Sequence, residues 1–161
     1  MHKISAVSPR LPRLLSVPLA LLPGAVHTRA LVVALNTLLA EPLREGVLEF
    51  LADRCVAVEL LDAGFVWSLT LQHGRLCATS ADRQPDLRIS ASVYDFLCLA
   101  GRQVDPDTLV FQRRLLMQGD TELGVQVKNC LDSLDSESLW LYGPLEALLQ
   151  RTLPVYRNLF T

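Results

Sequence analysis

From Val56 to Gln72 the side chains alternate. Val56, Val58 and Leu60 are interleaved with Ala57, Glu59 and Leu61; beyond Ala63-Gly64, Phe65, Trp67, Leu69 and Leu71 are interleaved with Val66, Ser68, Thr70 and Gln72. A period of two on both sides of a Gly-containing turn is a β-hairpin. One face of this hairpin is strongly apolar and the other mixed. A sheet with one such face buries it under helices, so the architectures open to the chain are layered ones. His73-Gly74 turns the chain into a third strand, Arg75 to Thr79, and Leu87 and Ile89 mark a fourth after Pro85.

After the fourth strand the period changes. Ser92 is placed to cap a helix running to Ala100, with Val93, Phe96, Leu97 and Ala100 inward and Gly101 closing it. Asp105-Pro106 starts a short turn through Val110. Arg113 to Gln118 reads as a fifth strand, Gly119-Asp120 as a break, and Leu123, Val127, Cys130, Leu131 and Leu134 as the apolar stripe of a helix. Asp120 stands at the N-cap, where its carboxylate accepts from free N–H groups of the first turn, and Glu122 complements the helix dipole. The expected fold is α+β: a five-stranded, mainly antiparallel sheet covered by helices on one face, with helical extensions at both ends. Three segments follow: an apolar helical extension over 1–42, a central domain over 43–135 and an apolar tail over 136–161.

The extensions are more apolar than a core requires. Leu11, Leu14, Leu15, Leu19 and Leu22 follow helical spacing beside Arg10 and Arg13, broken near Pro12 and Pro18 and ended by Pro23-Gly24. A second helix starts at His27 or Thr28 and carries Leu31, Val32, Leu35, Leu38 and Leu39; Pro42 fits the first turn of a short helix reaching Phe50. The basic-then-apolar start resembles a signal peptide, but Pro18 and Pro23 interrupt it and Ala25-Val26-His27 is no small-x-small cleavage site. In the tail, Trp140, Tyr142, Leu145, Leu148, Leu149, Leu153, Tyr156, Leu159 and Phe160 recur; Pro144 opens a helix and Pro154 bends or ends it. Such stripes fit packing on the domain, a homodimer face or a membrane surface, and spacing alone does not separate these.

Composition excludes several functions. Half of the 161 residues are hydrophobic and mean hydropathy is +0.29, yet no apolar run reaches the roughly 18–20 residues of a bilayer span. A net charge of −2 and 6% aromatic residues do not make a nucleic-acid surface. Cys55, Cys77, Cys98 and Cys130 lack zinc or redox spacing and suit small core positions in a reducing, cytoplasmic setting. His2, His27 and His73 form no metal-ligand pair, and nucleophile-elbow and phosphate-loop motifs are absent. Asp132, Asp135 and Glu137 cluster among serines at a helix end, a pattern of solvated termini. The residues name no catalytic, metal or cofactor site, and the chain reads as a non-enzyme.

What remains is binding by burial. The residues facing the helices, Phe65, Trp67, Leu69, Leu87, Ile89, Phe96, Leu115 and Met117, are the expected wall of a lipid site. For each of them ordinary core is the commoner role. Resemblance points to a cavity: Arg114-Leu115-Leu116-Met117-Gln118-Gly119-Asp120-Thr121-Glu122-Leu123-Gly124, followed by Val127-Lys128-Asn129, is similar to the strand, Gly-Asp, helix signature near the end of sterol-carrier-protein-type lipid-binding domains. Within that superfamily it most resembles bacterial accessory factors of ubiquinone biosynthesis. The resemblance implies an apolar tunnel holding ubiquinone or a polyprenyl precursor, with phospholipid as the alternative guest, and no cofactor. It further implies a cytoplasmic protein in transient contact with the inner membrane. Such a protein would present the ring to biosynthetic enzymes, the UbiU–UbiV pair among them, in the oxygen-independent route. A general phospholipid or fatty-acid carrier, or a homodimeric scaffold without lipid, stays open beside this reading.

Overall fold

The structure is a computed structural model and describes residues 24–80, 82–133 and 142–160. Strands β1 (Val56–Leu60), β2 (Phe65–Gln72), β3 (Arg75–Ala78), β4 (Leu87–Ala91) and β5 (Leu116–Gly119) form one sheet in the order β3-β2-β1-β4-β5. The β1–β2, β2–β3 and β4–β5 pairs are antiparallel, while β1 and β4 run parallel at the centre. The expected mainly antiparallel sheet is therefore present, with one parallel pair. That pair arises because β4 returns beside β1 by a long connection, which parallel strands require. His73 and Gly74 both have positive φ, 51° and 71°, the combination a two-residue primed hairpin turn needs.

The helices are α1 (Gly24–Leu38), α2 (Ala40–Arg44), α3 (Val93–Ala100), α4 (Pro106–Phe111), α5 (Thr121–Ser133) and α6 (Tyr142–Phe160), with a 3-10 turn at Glu49–Leu51. The Ser92 and Asp120 caps follow the sequence, and Asp105, read as the start of a turn, caps α4. The Asp95 N–H donates to Ser92 Oγ at 3.1 Å, the Thr108 N–H to Asp105 Oδ1 at 2.8 Å, and the Leu123 N–H to Asp120 Oδ1 at 3.0 Å.

Several boundaries depart from expectation. The fifth strand starts at Leu116, not Arg113, because the Arg114 and Leu115 N–H groups still donate to Leu109 O and extend the end of α4. Gly119 belongs to the strand and is not a break. The buried residues of α3 are Asp95 and Cys98; Ala100 faces outward. Pro154 lies inside α6 and does not end it. The apolar run before Pro23 and Trp140 of the tail lie outside the described residues.

Helices cover the apolar face of the sheet. Val56, Leu87, Ile89 and Ala91 pack with Leu109 of α4, with Leu115, and with Leu123 and Val127 of α5. Leu71 and Leu76 pack with Leu43, Leu48 and Cys130. Burying one such side chain stabilises the fold by roughly 1.5–3 kcal/mol. The tail docks too: Leu153 of α6 is buried against Cys98, beside Tyr94, Leu97 and Val104.

Candidate lipid-binding face

The strand register builds the site. Trp67, Val58, Ile89 and Met117 align in one row across β2, β1, β4 and β5. Leu69, Val56 and Leu87 form the next row, and Phe65 lies opposite Leu60 beyond Trp67. With strands about 4.8 Å apart, the four-strand row is about 14 Å wide. Six of the eight expected wall residues, Phe65, Trp67, Leu69, Leu87, Ile89 and Met117, thus share one face. The other two come from outside the strands: Leu115 belongs to the core cluster on that face, and Phe96 of α3 packs against it.

Burial divides the eight. Leu69, Leu87, Ile89 and Leu115 are interior, with at most 7% of their surface exposed. Phe65, Trp67, Phe96 and Met117 are half-buried. Val58, in the Trp67 row, and Leu60, opposite Phe65, are half-buried as well. The layer is packed over β4 and around Val56, Leu69, Leu71 and Leu76, and it is open-rimmed at Val58, Leu60, Phe65 and Trp67. At that rim the Phe65 and Trp67 rings stack with centroids 5.6 Å apart, and the His27 ring of α1 lies 4.9 Å from Phe65 at a 42° tilt. Val58 and Leu60, absent from the expected wall, belong to the same alternation as their neighbours on it. Also absent from it are Phe50 and Leu51, whose 3-10 turn has no period to detect.

A polar frame holds this layer in place. Asn36 of α1 docks on the outer edge of β3: its Nδ2 donates to Leu76 O at 2.8 Å and its Oδ1 accepts from the Leu76 N–H at 3.0 Å. The side chain thus satisfies an edge residue that would otherwise invite another strand. Asp86 accepts the Cys55 N–H at 2.7 Å, and Arg54 bridges Asp86 and Asp120 at 3.7 and 3.4 Å. Asp95 is buried and accepts from Arg114 Nε and Nη2 at 2.9 and 2.5 Å and from Ser92 Oγ at 2.7 Å, which fastens α3 to the approach of β5.

Burial pushes the Cys98 and Cys130 thiols up, so they stay protonated at neutral pH, the reverse of an activated nucleophile. Cys77 differs from the other three cysteines in being half-exposed, on the far face of β3. Among the described residues no group of three or more His, Cys, Asp or Glu side chains is placed to hold a metal ion, and no helix is long and apolar enough to cross a membrane. The arrangement offers hydrocarbon contact with an aromatic rim.

An apolar sheet face under helices, with a Gly-Asp junction between β5 and α5, is the frame of a sterol-carrier fold, and the chain belongs to the SCP-2 sterol transfer family: that family's profile matches residues 35–132. The ubiquinone biosynthesis accessory factor UbiT of Escherichia coli (strain K12) is 41% identical over 128 residues, 80% of this chain and 73% of that protein. A solved structure described as the UbiJ-SCP2 ubiquinone synthesis protein superposes with a TM-score of 0.56 at 19% identity, over 67% of this chain and 90% of that one, and shares the fold.

Proposed function

We propose that this protein is a non-catalytic lipid-binding accessory factor of ubiquinone biosynthesis. It holds the polyprenyl tail of ubiquinone precursors against the apolar sheet face and presents the ring to the biosynthetic enzymes. The observation that carries this reading is the half-buried rim formed by Phe65, Trp67, Val58 and Leu60, continuous in register with a packed apolar layer. The 41% identity to an accessory factor of that pathway supports the choice of lipid. Each methylene moved from water onto such a face contributes about 0.8 kcal/mol, so a polyprenyl tail needs no charged clamp. The reading extends to the oxygen-independent route, with the UbiU–UbiV pair as partners, and to a cytoplasmic protein that touches the inner membrane transiently. The outward side of α1 suits that contact: Val26 and Val33 are 49% and 65% exposed there, beside Arg29.

The test is gentle purification from the native host followed by mass spectrometry of the extracted lipid. A polyprenylated ring compound near one per chain is the expected result. Phospholipid or fatty acid alone would replace this reading with a general carrier, and a lipid-free protein would leave the homodimeric scaffold.

A further inference from the structure

The tail-binding face does not by itself distinguish a prenylated ring from a plain acyl chain, since both offer hydrocarbon. The rim does. Its aromatic side chains lie in series, His27 tilted against Phe65 and Phe65 stacked on Trp67, with centroid separations of 4.9 and 5.6 Å. Two belong to β2 and alternate onto the apolar face; the third comes from α1, which arrives from another part of the fold. Trp67 stands in the same row as Val58, Ile89 and Met117, so the stack sits at the β2 end of a row that crosses the sheet to β5.

Asn36 anchors the helix that carries His27. Near its C-terminal end Asn36 grips both backbone groups of Leu76. No residue of α1 is fully buried. From Asn36 to His27 is nine positions, about 13–14 Å of helix at 1.5 Å per residue, so a small tilt about the Asn36 contact opens the gap between His27 and Phe65. Helices that bury little move at little cost.

We infer that His27, Phe65 and Trp67 form the head-ring subsite of the lipid site: a planar quinone or phenol ring stacks on the Phe65–Trp67 side beneath His27, and its prenyl tail lies along the half-buried Val58 and Leu60. His27, Phe65 and Trp67 are then the residues that set specificity for ring-bearing over ring-free lipids. Aromatic rings prefer offset-stacked or tilted neighbours, as these three are arranged, and the preference goes beyond the area buried. This inference rests on the lipid-binding reading proposed above, and the experiment separates the two.

Two probes of similar chain length are used, a decyl-substituted dimethoxy-methyl-benzoquinone and dodecanoate, with dissociation constants from equilibrium dialysis. The proteins are the unmodified chain, His27→Leu and Phe65→Leu; both substitutions remove the ring and leave a branched apolar side chain of moderate size in its place. The expected result is that each variant binds the quinone about three- to tenfold more weakly, the factor that one aromatic pair supplies, while dodecanoate affinity stays within about twofold. His27→Leu alters a half-exposed helix position, so it remains a folded test even if Phe65→Leu disturbs the sheet. Equal losses for both probes, or an unchanged quinone affinity, overturn the ring subsite while leaving lipid binding standing. An unmodified protein that binds neither probe overturns the proposed function, and the subsite with it.

Discussion

Gly119 shows how one residue without a side chain can fix a junction. Its φ is +125°, and a Cβ there would lie 2.3 Å from Asp86 O and 3.1 Å from the Asp86 carbonyl carbon. The neighbour is backbone, pinned by the Asp120 N–H donating to Asp86 O at 2.8 Å, so it cannot step aside. Gly119→Ala combines left-handed strain with overpacking, and we expect a loss of about 2–4 kcal/mol in urea unfolding. Gly124, in the same signature, gives the contrast: a Cβ there would meet Leu87 Cδ1 at 3.6 Å, an ordinary contact, and Gly124→Ala should cost little. Arg114 makes the opposite kind of contribution. Its guanidinium is the charged partner of a carboxylate whose side chain is 3% exposed. Arg114→Met removes the guanidinium from a buried carboxylate, a loss of about 3–5 kcal/mol in the same assay, and Asp95→Asn in the Arg114→Met background should recover part of it.

At the scale of elements, α3 and α6 meet through Tyr94 and Tyr156, stacked with centroids 5.6 Å apart. Burial, and secondarily the Asp62 carboxylate, pushes the Tyr156 phenol up to about 12. Burial also raises Tyr94, and its bond with Cys98 adds to that. An unfolded tyrosine titrates near 10, so between about pH 10 and 12 the unfolded chain has released protons the folded chain retains. Stability should hold below that window and fall through it, with loss of the seam, and Tyr156→Phe should reduce the slope; thermal unfolding against pH checks both. How far such elements could be read from the sequence depended on whether their cause was local. The β2 alternation, the Ser92 and Asp120 caps and the His73-Gly74 turn are set by neighbours within a few residues and are legible, whereas Asp105-Pro106 reads as a turn and in fact caps the helix Pro106–Phe111. The fifth strand was misplaced because the α4 end extends through backbone bonds to Leu109, which leave no mark in side-chain pattern. The parallel pairing of β1 with β4 and the docking of Asn36 on Leu76 join positions 31 and 40 apart, and no periodicity reports them. For the site, the alternation identified which β2 and β4 side chains share a face, but not which are packed and which are half-open. That division depends on what the helices cover.

For the whole molecule, the division between packed and open parts of the apolar layer predicts two separable mutant behaviours. Leu87 is 2% exposed at the centre of the core cluster, so Leu87→Ala creates a cavity and should lower stability by about 2–5 kcal/mol whether or not lipid is present. Trp67 is half-buried at the rim, outside that cluster, so Trp67→Asp should cost the lipid-free fold much less. Its effect belongs to the bound state, where a carboxylate would be desolvated against hydrocarbon. A ligand that binds only the folded chain stabilises it by about 2.7 kcal/mol at a hundred times its dissociation constant. The unmodified protein should therefore gain that much in urea unfolding with saturating decyl-benzoquinone. Leu87→Ala should start lower yet gain a similar increment, and Trp67→Asp should start near the unmodified value and gain almost nothing. A core that served packing alone would give the reverse for Trp67: a lower starting stability and no response to lipid in any of the three proteins. The two rows that the register aligns over β2, β1 and β4 would then be one continuous interior, and the half-burial of Val58, Leu60, Phe65 and Trp67 would have no counterpart in binding.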